Sequence, residues 1–112
     1  MGSGLPFEQI RLGVKEVALW HEGTRTLLVP EALGTVQFMR APAERIGVHP
    51  SRRLRPPREL ARFSPEHVLF GHGEGVHGPE AARLLQDTLA HARGRAASWL
   101  WAGFRAHVLG RR

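Results

Sequence analysis

The sequence has no cysteine, which excludes disulfides and thiolate metal sites together. No apolar run approaches the roughly 20 residues that a membrane-spanning helix needs. The opening "MGSGLPFEQIRLG" lacks the basic start and apolar stretch of a signal peptide, so the expected location is cytoplasmic. Serine is scarce. Ser3, Ser51, Ser64 and Ser98 all lie outside a nucleophile-elbow pattern, which sets serine hydrolase chemistry aside. Lysine is nearly absent, since 15 of the 16 cationic side chains are arginine. No internal repeat or low-complexity segment is visible.

What is present fits one soluble domain. The chain has 112 residues, 42% of them apolar, so a single domain over 1–112 is expected, with residues 1–6 as a flexible N-terminus. Folding at this size buries roughly two-thirds of the surface that the unfolded chain exposes. The net charge of +6 has two readings. One is a surface that attracts nucleic acid. The other is the arginine, alanine, glycine and proline usage of a GC-rich coding sequence, which the even spread of arginines favours.

Periodicity predicts the elements. "FEQIRL" (Phe7–Leu12) reads as a short strand. "KEVALW" (Lys15–Trp20) and "RTLLVP" (Arg25–Pro30) read as a hairpin around the turn "HEGT". Val17 and Leu19 point to one of its faces, Ala18 and Trp20 to the other. "EALGTVQFM" (Glu31–Met39) reads equally as a short helix or as a loop with a strand fragment. Four prolines and four arginines between Ala41 and Pro57 disfavour long elements there. "PPRELARF" fits a short helix, and "HVLF" fits a strand apolar on both faces, as in a sheet interior. From Pro79 onward one long helix is expected. Its stripe runs through Ala81, Leu84, Leu85, Leu89 and Ala92, then through Ala96, Leu100, Phe104 and Val108, with Gly94 and Gly103 as points of weakness. "SWLWAGF" (Ser98–Phe104) is apolar nearly all round and calls for cover.

The densest chemistry lies in "GHGEGVHG", Gly71 to Gly78. Gly73 to Gly78 match Gly-x-Gly-x-x-Gly between a strand and a helix, the setting of a dinucleotide turn. Only helix follows, however, and no acidic residue ends a second strand about 20 positions on. A metal reading uses the imidazoles of His72 and His77, because neutral histidine is a good zinc ligand. The bland reading has His72 bonded to a backbone carbonyl, with the glycines supplying positive φ. Elsewhere, Arg52, Arg53, Arg55, Arg58 and Arg62 form a candidate phosphate-binding group or a solvated helix face. Trp99 and Trp101 read as core or interface residues rather than as stacking platforms for bases.

Three stretches, "EVALWHEGTRTLLVPEAL", "ERIGVHPSRRLRPPREL" and "PEHVLFGHGEGV", follow one another in an order that resembles the C-terminal half of a metallo-β-lactamase-fold protein, from about Lys15 to Arg93. The resemblance implies half of an αββα sandwich. In that family two zinc ions sit between the halves, and the second half supplies a bridging aspartate and a final histidine. His72 matches the final histidine. Glu31 stands at the position of the aspartate, after Pro30 where the family has glycine. The first half's His-x-His-x-Asp-His motif is missing, and His21, His49 and His67 do not stand in for it. The expectations are therefore an α+β fold with about four strands, mostly antiparallel, covered by a long C-terminal helix. The implied metal ligands are His72 and Glu31, with zinc binding weak or absent in this chain. The implied function is that of a truncated or degenerate metallo-hydrolase relative, inactive alone. The implied partner is a second copy or a missing half-domain, with Trp99, Leu100, Trp101 and Phe104 in or near the contact. The alternative is a small basic non-catalytic module that binds nucleic acid or a protein.

Overall fold

Alternation of apolar side chains builds a sheet with one buried face. A computed structural model describes residues 7–13 and 15–109, so the expected flexible N-terminus lies outside the described residues. Strands β1 (Phe7–Leu12), β2 (Glu16–His21) and β3 (Thr26–Val29) form an antiparallel meander. The β2–β3 turn is closed at Arg25, which adopts a φ of 53° and donates its amide to the Glu22 carbonyl at 3.2 Å. Ile10, Leu12, Ala18, Trp20, Leu27 and Val29 are all buried. Their neighbours Val17, Leu19 and Leu28 point the other way and are only half-buried. This is the face division that the alternation predicts.

The chain then leaves the sheet. Two short strands, β4 (Leu33–Gly34) and β5 (Gly47–Val48), pair with each other, and single turns of 3-10 helix occupy Gln37–Met39, Pro50–Arg52 and Arg58–Arg62. Strand β6 (His67–Phe70) returns parallel to β3, and a further strand, β7 (Val76–His77), pairs antiparallel with β6. The main sheet has five strands in the order β1-β2-β3-β6-β7 and is mixed. Three of its four pairings are antiparallel, as expected, but the sheet has five strands rather than about four, and the β3–β6 pair is parallel. A two-residue strand has no period to read, and a parallel pairing across a long excursion leaves no local sign.

Helix α1 (Ala81–His91) covers the buried face. Its Ala81, Leu84, Leu85 and Leu89, with Ala92 just beyond, join the sheet residues, Leu60 and Phe63 in one contiguous core. The single long helix is also corrected. The chain turns at 92–95, and α2 (Ala96–Leu109) runs on separately. The turn around Gly94 brings the Arg95 guanidinium to Asp87 at 3.0 Å and to Glu44 at 3.2 Å. The apolar stripe therefore divides in two. Its first half is core, while Leu100, Phe104 and Val108 on α2 stay exposed.

One ionic strut crosses the interior. Arg53 and Glu44 meet at 2.5 Å with almost no solvent exposure. Arg53 also donates to the Met39 carbonyl at 2.9 Å and to the Ala92 carbonyl at 3.3 Å. Glu44 accepts the Ala41 amide at 2.7 Å. The strut ties the irregular middle of the chain to the end of α1. Among the described residues no helix is long and apolar enough to cross a membrane.

Candidate functional site

Parallel pairing of β3 and β6 decides where Glu31 and His72 go. Val29 pairs with Phe70, so both strands end on the same edge of the sheet. The Gly71 amide donates to the Pro30 carbonyl at 3.1 Å, and the Thr35 amide donates to the His72 carbonyl at 2.9 Å. Thr35 Oγ1 donates to the Glu74 carbonyl at 2.8 Å. The glycine-rich turn is thus laid along residues 30–36. That contact explains two of its glycines. A Cβ on Gly71 would collide with the Pro30 carbonyl, and Gly73 combines a φ of 99° with contact against Thr35. The loop carrying Glu31 is held from the other side, where Glu16 Oε2 accepts the amides of Glu31 at 2.7 Å and Ala32 at 2.9 Å.

Glu31 is exposed and His72 is partly buried. Among the described residues neither side chain makes a hydrogen bond or ion pair, so the bond from the His72 imidazole to a backbone carbonyl is not formed. An open cleft of about 610 Å³ lies beside Glu31, with Lys15, Glu16, His49 and Arg52 in its wall. His72 is not part of that wall. His49 is committed elsewhere, because its Nδ1 accepts the Ser51 amide at 3.2 Å and caps a 3-10 turn. His21 is likewise engaged, with Nδ1 2.8 Å from Thr24 Oγ1. No group of three or more histidine, aspartate or glutamate side chains among the described residues is placed to hold a metal. A catalytic zinc site typically needs three protein ligands and a water, so Glu31 and His72 do not compose one by themselves.

Comparison with family models, with curated proteins and with solved structures finds no match. The chain's chemistry rests on its own geometry.

That geometry redistributes the other candidates. The Gly-x-Gly-x-x-Gly stretch does not run into a helix N-terminus. Strand β7 interrupts it, and α1 begins only at Ala81. The dinucleotide setting is absent. The arginine group is not one surface. Arg53 is buried in the strut, Arg62 pairs with Glu8 at 2.6 Å, and Arg52 is partly buried against Leu12. Of the five, Arg55 and Arg58 are exposed, and their guanidinium groups have no hydrogen-bonded partner among the described residues. Trp99 is anchored through Nε1 to the Phe38 carbonyl at 2.7 Å, whereas Trp101 is 60% exposed and stacks on Phe104.

One pairing escaped the reading of the sequence. His67 and His77 face each other across β6 and β7, with their Nδ1 atoms 2.9 Å apart. The two positions flank a tight turn, but only knowledge of β7 reveals that they are opposite.

Proposed function

We propose that the chain is one half of a metallo-hydrolase-type sandwich, inactive alone, which contributes His72 and Glu31 to a site that a second sheet layer completes. The observation that supports the reading is the parallel β3–β6 pair. It ends the Glu31 and His72 segments side by side on one sheet edge, with both side chains free of partners among the described residues. The open face of the sheet agrees with it. Leu19, Leu28 and Leu69 occupy one row across β2, β3 and β6, and Leu69 is 39% exposed. A row of leucines on an outer face is what a stacked second sheet would bury.

The test is metal content and hydrolysis, measured on the purified chain after chelation and dialysis against trace zinc. Two ligands leave zinc largely solvated, so retention should be substoichiometric, with no turnover of ester, lactam or phosphodiester substrates. His72→Ala should change stability by no more than about 0.5 kcal/mol, since its ring makes no hydrogen bond among the described residues. Stoichiometric zinc that is lost in both His72→Ala and Glu31→Ala would mean that copies of this chain complete the site themselves. A DNA or RNA complex tighter than about 10⁻⁶ M at physiological salt would replace the proposal with the basic-module reading.

A further inference from the structure

The outer face of the sheet carries a second row beside the leucines. Phe7, His21, Thr26, His67 and His77 follow one another across β1, β2, β3, β6 and β7 by direct pairing. Within it His67 and His77 are distinct. His21 spends its Nδ1 on Thr24, whereas the other two rings turn theirs toward each other, with centroids 5.1 Å apart and planes tilted by 58°. Two Nδ1 atoms at 2.9 Å share one proton: one ring donates and the other accepts. His67 is partly buried and His77 is exposed, so the pair opens to water. It starts β6, whereas His72 follows the end of that strand.

We propose that His67 and His77 form a two-imidazole binding site for a divalent transition-metal ion, with copper(II) preferred. Directly opposed residues of an antiparallel pair hold their Cβ atoms about 4.5–5.5 Å apart, so the strands present both rings at a fixed spacing. Two nitrogens bound cis at about 2.0–2.1 Å lie about 2.9 Å apart in a square-planar arrangement and about 3.3 Å apart in a tetrahedral one. Opening the direct Nδ1–Nδ1 contact can reach either spacing, so the preference for copper rests on the Irving–Williams order. The rings must rotate to aim both lone pairs at one point, and the solvent side leaves the remaining positions to water. Binding releases no net proton. The ring that carried its hydrogen on Nδ1 shifts to the Nε2–H tautomer, and both rings stay neutral.

Copper(II) titration of the intact chain, followed by calorimetry and electron paramagnetic resonance, tests this. We expect one copper per chain, a tetragonal spectrum with hyperfine structure from two imidazole nitrogens, and weaker zinc binding. His67→Gln and His77→Gln should each weaken binding by about tenfold or more, at least about 1.4 kcal/mol. His72→Ala should leave it unchanged, which separates this site from the zinc ligands proposed above. Circular dichroism establishes that each variant is folded. Paramagnetic broadening in the unmutated chain gives a second measurement that needs no variant: the His67 and His77 ring signals should vanish first. Unchanged affinity in folded variants, or broadening that begins at another histidine, would overturn the proposal.

Discussion

At the scale of single residues, Glu44 is the one buried carboxylate among the described residues. Burial alone would raise its pKa, but hydrogen bonds from Arg53, the Ala41 amide and Arg95, with the Arg53 charge, hold it below the ordinary 4.5. Arg95 likewise lowers Asp87, chiefly through a hydrogen bond. Removing one member of a buried ion pair strands the other charge, at about 3–5 kcal/mol. Glu44→Gln should therefore lower the urea midpoint severely. Replacing Glu44 and Arg53 together with leucine or methionine should cost much less than the two single changes combined. Additive losses would mean that the residues act independently. The pH dependence follows from the direction of the shift. A carboxylate depressed in the folded state contributes stability that is fully present above its unfolded pKa and is lost as the pH falls through the folded one. The difference between wild type and Glu44→Gln should thus hold from neutral pH down to about 4.5 and narrow below it. Nothing in "APAERIGVHPSRRLR" marks this pair in advance. Arg53 reads as one more cation in a basic run, because burial of a charge is set by what folds over it.

At the scale of elements, two glycines make opposite forecasts from the same local emptiness. A Cβ added at Gly78 or at Gly103 would meet nothing within 4 Å. Gly78 has a φ of 96° at the exit from β7, so Gly78→Ala should destabilise by roughly 1 kcal/mol or more through backbone strain alone. Gly103 lies inside α2 without positive φ, so Gly103→Ala should stabilise by roughly 0.5–1 kcal/mol. Thermal unfolding of the two variants checks both signs. This scale was the most legible one. The β2–β3 hairpin, β6 and the covering face of α1 follow from periods of two and 3.6. The stripe through Ala96 and Leu100 misled because periodicity reports amphipathicity, not what the apolar face touches. Gly94 carried the break, and the pull of Glu44 and Asp87 on Arg95 became visible only in three dimensions.

At the scale of the whole molecule, apolar surface remains uncovered. Leu100, Trp101 and Phe104 on α2 are more than half exposed, as is Phe38 beside that helix. The outer leucine row adds to them. Under the proposed function these surfaces meet a second layer, and in the purified chain the available layer is another copy. Light scattering at tens of micromolar, an order-of-magnitude choice above weak association, should show a dimer or larger. The contact should bury more than about 1,000 Å² in total. Trp101→Glu with Phe104→Glu should shift the population toward monomer, while Arg55→Glu should not. A clean monomer in the unmutated chain would remove the homo-oligomer. The candidate site divides the same way between legible and hidden. His72 and Glu31 stand out by resemblance and by their flanking turns. The cleft that admits one but not the other depends on how residues 30–36 lie against the glycine turn.

The parallel pairing of β3 with β6 also orders events in time. Thr26 and Leu27 leave the ribosome long before their partners His67 and Val68 are made. Through that interval β3 is an edge strand, with an open ladder and the apolar Leu27 and Val29 beside it. Residues 30–66 must be made before β6 can dock, and the pairing is a non-local step that slows folding. A nascent chain stalled within that excursion would present a naked strand edge to its neighbours, and the newly made meander would be at greatest risk of aggregation there.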